Sequence, residues 1–135
     1  MPVSDPMESP LELAKAFVRG DQPRYAVEVL EPWLEAHPDD AGAWSVMAAA
    51  RFELDNLPEA RRAASMAVDL KPQSARNWCN LGMVLRRAGE LYEAERAQHR
   101  ALVLDPSHDR ARIELRKINE LRTGERQPPG QKDFI

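Results

Sequence analysis

A chain of 135 residues with 43% apolar and 30% charged side chains, but only 6% aromatic, has the makeup of a soluble helical protein and not of a disordered one. The net charge of −3 excludes the strongly basic footprint of a general nucleic-acid binder, and no run approaches the roughly 18 apolar residues of a membrane span. Cys79 is the single cysteine, so no intrachain disulfide forms; with no basic and then apolar opening run, a reducing, cytoplasmic setting is expected.

In chain order, Ser9-Pro10-Leu11-Glu12 reads as a capping box with proline at the first helical position, so a helix starts near Pro10. Arg19-Gly20-Asp21 ends it. Pro23 opens a second helix, where first-turn N–H groups have no partner to lose, and Pro32 inside that helix predicts a kink. Pro38 ends the unit. The same grammar then returns twice. A helix around Trp44 turns at Asp55-Asn56 into one opening near Pro58 and stopping at Pro72; a helix around Trp78 turns at Ala88-Gly89 into one stopping at Pro106. A seventh helix begins near Asp109, with Ala111, Leu115, Ile118 and Leu121 as its apolar stripe and Arg112, Arg116, Lys117 and Arg122 around it. From Thr123 the stretch TGERQPPGQKDFI has no periodicity and is expected to be a disordered tail.

The returns keep one period of 34 residues. Trp78 maps to Trp44; Ala94 to Ala60 and Ala26; Pro106 to Pro72 and Pro38; Leu81 to Met47 and Leu13; Gly82 to Ala48 and Ala14. A unit of this length with Trp-x-x-Leu-Gly, a later alanine and a closing proline resembles the tetratricopeptide repeat, and the handiest comparison is 75–108, where Trp78, Leu81, Gly82, Ala94, Ala101 and Pro106 all stand in place. The resemblance implies an all-α fold, a right-handed α-solenoid of three helix-turn-helix hairpins and about seven helices. Its parts would be an extension over 1–6, repeats over 7–40, 41–74 and 75–108, and a capping helix over 109–122. Small residues at Gly82 and Ala94 let paired backbones approach, and bulkier Trp78, Leu81 and Leu85 fill between them.

Three positions depart from their counterparts. Arg51 stands where Phe17 and Leu85 lie in the neighbouring units, with Asp55 four residues on as a candidate ion pair adding only ~0.3–0.5 kcal/mol. Trp33 stands where the other units have Ala67 and Ala101, and is expected to fill space beside Trp44. Ala64 and Gln98 replace the bulk of Leu30.

No catalytic constellation is visible. There is no GxGxxG or GxxxxGK[ST] loop; His37, His99 and His108 have no second histidine at ligand spacing, and Cys79 has no cysteine partner. No cofactor or metal is expected, and the chain reads as a non-catalytic protein-protein interaction module or scaffold.

In tetratricopeptide proteins the first helix of each pair lines a concave surface that commonly holds an extended peptide. The resemblance carries that role onto Val46, Ala49, Phe52, Arg76, Cys79, Asn80, Met83, Arg86, Arg87 and Arg110, an apolar middle with a basic rear. The partner so implied is a protein or peptide with apolar and acidic residues, with no nucleic acid and no membrane. Some members clamp chaperone tails with lysine, asparagine and arginine; the corresponding Leu11, Lys15, Val46, Arg76 and Asn80 keep a close match only at Arg76, so that clamp is not implied. The alternative is a self-associating subunit, a homo-oligomer built through end faces or the C-terminal tail. Residues 1–40 carry −6 and residues 109–135 carry +2, and the tail's Asp133-Phe134-Ile135 matches the groove's chemistry.

Overall fold

The computed structural model describes residues 9–126, and the sequence expectation for the tail beyond 126 lies outside them. Seven α-helices follow one another with no strand among the described residues: α1 Pro10–Arg19, α2 Pro23–Ala36, α3 Ala41–Glu53, α4 Leu57–Leu70, α5 Ala75–Arg87, α6 Leu91–Leu104 and α7 Asp109–Arg126. Each pairs with the next, forming three hairpins and a last helix. The odd-numbered helices α1, α3, α5 and α7 also pack on one another, whereas the even-numbered ones do not. The array is therefore tight along the odd helices and splayed along the even ones, which bends it and leaves clefts between α2, α4 and α6.

The period is visible in the bonds. The turns after α1, α3 and α5 each hold a residue with left-handed backbone, Asp21 (φ 61°), Asp55 (φ 60°) and Gly89 (φ 88°), and these lie one period apart. The next N–H then reaches back five residues: Gln22 to the Phe17 carbonyl at 2.8 Å, Asn56 to Arg51 at 2.9 Å, Glu90 to Leu85 at 2.9 Å. This is a Schellman closure, and it turns the chain sharply into the second helix. Starts repeat too, because the Asp40 and Ser74 side chains accept the N–H groups of Ala43 and Asn77, and Ser9 accepts that of Glu12.

The Trp and Pro signals explain each other. The indole N–H of Trp44 donates to the Pro38 carbonyl at 2.8 Å, and that of Trp78 to the Pro72 carbonyl at 2.7 Å. Each tryptophan thus pins the loop between two hairpins through the carbonyl of that loop's proline. Between paired helices the contact is small on small: Ala14, Ala48 and Gly82 face second helices whose Ala26, Ala60 and Ala94 are fully buried.

Several local expectations change. Trp33 does join the cluster that holds Trp44, but its N–H donates to Asp40 at 2.8 Å and its ring stacks on His37 at 3.8 Å. Arg51 reaches Glu31 on α2 at 2.8 Å and not Asp55, because Asp55 sits in the left-handed turn and meets Arg87 at 3.2 Å. α2 runs on through Pro32. Pro32 has no N–H for the Glu28 carbonyl, and both residues lie on the exposed side of the helix. α7 continues four residues past the end expected at 122, its last turns tied to α6 by the ion pair of Arg122 with Glu95.

Candidate peptide-binding groove

α1, α3 and α5 present one face together because they pack side by side in a common register. On α3, Ser45, Val46 and Ala49 fall within about a third of a turn of one another at 100° per residue. Lys15, Val18 and Arg19 of α1 stand on one flank, and Arg76, Cys79 and Asn80 of α5 on the other. His108 and Arg110 close the far end. The groove so formed is about 590 Å³.

Its electrostatics are one-sided. Lys15, Arg19, Arg76 and Arg110 line it and no carboxylate does. Lys15 touches Glu12 at 3.4 Å on the exposed side; Arg19 and Arg76 have no ionic partner among the described residues. Arg110 donates to the Met83 sulfur at 3.7 Å. The floor is Val18, Val46 and Ala49, half-buried, so a segment lying here meets apolar surface below and guanidinium groups beside it. Asn80 Nδ2 donates to Ser45 Oγ at 3.1 Å, which ties α5 to α3 and orients the amide along the groove.

Six of the ten residues assigned from sequence line this groove: Val46, Ala49, Arg76, Cys79, Asn80 and Arg110. Met83 touches Arg110 at the margin. The other three are engaged elsewhere. Arg86 Nε donates to Glu114 Oε1 at 2.7 Å, and that carboxylate is 1% exposed. Arg87 lies 4.3 Å over the Phe52 ring while bonded to Asp55, so this pair packs between neighbouring first helices. Spacing on a single helix did not single out His108. Its Nδ1 accepts the Ala111 N–H at 3.2 Å and caps α7, at the position where Asp40 and Ser74 cap α3 and α5; the repeat register was the available signal.

Cys79 is 1% exposed, and burial first, then Glu114, push its thiol up to about 11, against the opposing pull of Arg110 and the bond from Gln98. Only the thiolate attacks disulfide reagents. Native protein at pH 8 should therefore react with Ellman's reagent about a hundredfold more slowly than unfolded protein, two pKa units being two decades of thiolate. The sign for stability follows: a raised acid holds its proton longer when folded, so stability should be full below pH 9 and fall from pH 9 to 11. Fast labelling of the native state would contradict both.

Among the described residues no group of three or more His, Cys, Asp or Glu could hold a metal ion, and no helix is long and apolar enough to cross a membrane.

A family model of the tetratricopeptide repeat matches residues 75–108. No curated protein matches the sequence significantly. Solved structures do. The first tetratricopeptide domain of human RPAP3 is 23% identical, with a TM-score of 0.80, over 88% of this chain and 94% of that one. The first such domain of Spaghetti, solved with the HSP90 peptide SRMEEVD, is 23% identical with a TM-score of 0.79, over 84% of this chain and 90% of that one. An O-GlcNAc transferase from Thermobaculum terrenum is 27% identical with a TM-score of 0.78, over 81% of this chain but only 21% of the enzyme. With one unit matched outright, and three hairpins and a last helix superposing on these domains, residues 75–108 form a tetratricopeptide repeat and the chain has the fold of a tetratricopeptide-repeat domain.

Proposed function

We propose that the chain is a non-catalytic adaptor whose concave groove holds an extended segment of a partner protein, rich in carboxylates and bearing at least one apolar side chain. The observation that carries this is the groove wall: four cations, no acid, and an apolar floor between them. Carboxylates would pair with Arg76, Arg110, Lys15 and Arg19, Val46 and Ala49 would seat the apolar side chain, and the free Asn80 carbonyl oxygen would accept from the segment's backbone. Arg86, Arg87 and Phe52 hold the wall in place. The peptide-bound Spaghetti domain and the second domain of human RPAP3, solved with the HSP70 peptide SGPTIEEVD, support a peptide partner of this kind. The poor match at Leu11 and Val46 argues that the ligand is not that chaperone tail. A reducing compartment suits the lone, unreactive thiol.

The test is a peptide selection from a random library on the full chain. Peptides with clustered Asp or Glu beside a Val, Leu, Ile or Phe are expected. The pair Arg76→Glu and Arg110→Glu should weaken them at least a hundredfold with an unchanged helical spectrum, and raising salt should weaken them in the parent. Neutral peptides, or affinity that survives the reversal, would reject the groove. Self-association remains the alternative, favoured by the −6 charge of residues 1–40 against +2 over 109–135; a single monomer mass at every accessible concentration removes it.

A further inference from the structure

The repeat builds another kind of cleft, twice, on the opposite face. On α3, Trp44, Met47 and Arg51 lie about half a turn from Ser45, Val46 and Ala49 at 100° per residue. They floor a cleft of about 790 Å³ between α2 and α4. One period later, Trp78, Leu81 and Leu85 floor its counterpart of about 370 Å³ between α4 and α6.

One period relates Trp44 to Trp78, Met47 to Leu81, Glu59 to Glu93, Arg62 to Arg96 and Ala63 to Ala97, so these are common to both clefts. What differs is therefore not demanded by packing. In the front cleft Arg51 takes the place of Leu85, Glu31 neutralises it at 2.8 Å, and Glu35 adds a carboxylate to the shared Glu59 and Arg62. In the rear cleft Ser65 stands where Glu31 was, the floor is wholly apolar, and Arg100 joins Arg96, the counterpart of Arg62, one helical turn away on α6. Neither has a carboxylate partner among the described residues; Arg96 has only the Tyr92 ring at 5.9 Å. The one acid in the lining, Glu93, is already 3.5 Å from Arg61, which Glu90 also holds at 2.5 Å. Two guanidinium groups without an ion pair among the described residues, over a Trp-Leu floor, are a surface set for carboxylates and one large apolar side chain.

We propose that the α4–α6 cleft is a second docking site, for a short acidic segment of a partner protein that lays one large apolar side chain on Trp78 and Leu81 and sets its carboxylates against Arg96 and Arg100. Its volume, near the lower end of the ~300–1,000 Å³ usual for ligand pockets, admits a side chain with its flanking backbone and no more. The site is independent of the concave groove, which α5 turns to the other side.

To isolate it, random dodecapeptides are selected on the full chain carrying Arg76→Glu and Arg110→Glu, which disables the concave groove. Enriched peptides should carry two or more acids within a few residues of Leu, Phe or Trp. Adding Arg96→Glu and Arg100→Glu, both at exposed positions, should weaken them at least tenfold with an unchanged helical spectrum, and Ser65→Glu should do the same from the opposite wall. No enrichment, enrichment of neutral or basic peptides, or affinity that survives both changes overturns the proposal. So does binding of anionic phosphatidylserine vesicles, in place of peptides, that the same arginine reversal removes.

Discussion

Replacing Arg86 with alanine is expected to cost about 3 kcal/mol and to loosen α7 before any other helix. Glu114 is 1% exposed, and its two oxygens face the Arg86 guanidinium at 2.7 Å and the half-exposed Lys117 amine at 3.6 Å. Without the guanidinium, a carboxylate stays enclosed with one distant, solvated cation, and breaking such a pair on one side costs roughly 3–5 kcal/mol. Lys117 keeps the figure at the low end. Because neighbours alone touch in a repeat array, the damage should stay local. Amide exchange should rise at Ala111 and Ile118, both fully buried, while Ala43 and Ala48 keep their protection. Arg86→Met combined with Glu114→Leu removes both charges and should recover most of the loss, since an apolar pair of similar bulk often serves a buried site as well as an ion pair. Urea unfolding followed by far-ultraviolet dichroism gives the free energies. A loss below about 1 kcal/mol, or no recovery in the double variant, would mean that water reaches Glu114.

Such inter-unit pairs mark the boundary of what the sequence made legible. Trp44, Trp78 and the closing prolines do the same physical job in each unit, pinning a loop carbonyl, so comparing the chain with itself exposed them. The left-handed turns at Asp21, Asp55 and Gly89 were legible for the same reason, as the residue types that tolerate that backbone recur one period apart. Helical spacing also placed Val46, Ala49, Arg76, Cys79 and Asn80 on one face, where they line one groove. Spacing assigns Arg86 to that face as well, but whether it meets Glu114 depends on how far each unit rotates against the next. That rotation is set by the sum of side-chain volumes between helices, which no single helix's periodicity encodes. Arg51 shows the same gap: the pattern offers Asp55 four residues on, while the fold offers Glu31 from the neighbouring helix.

Gly82→Ala should destabilise the protein by about 2 kcal/mol, although glycine to alanine inside a helix ordinarily stabilises by about 1 kcal/mol. An added Cβ would lie 2.3 Å from Gln98 Nε2 and 2.8 Å from its Cδ. Gln98 is fully buried and its amide donates to the Cys79 carbonyl at 3.0 Å, so retreat means breaking that bond inside a closed site. Overpacking of roughly 1–3 kcal/mol and a lost hydrogen bond of about 1 kcal/mol outweigh the gain in helix propensity. The other units show what the position allows. Where unit three sets Gly82 against Gln98, unit two has Ala48 and Ala64, and unit one has Ala14 and Leu30. Adding Gln98→Ala to Gly82→Ala therefore rebuilds the arrangement of unit two. It also removes the one buried side-chain atom without a hydrogen-bond partner among the described residues, Gln98 Oε1. The double variant should return to within about 1 kcal/mol of the parent, so that the two changes together cost less than Gly82→Ala alone. Thermal and urea unfolding of the two single variants and the double give the coupling directly. A Gly82→Ala protein more stable than the parent would show that Gln98 moves aside freely, and that the small residue at this position is not what lets α5 and α6 close.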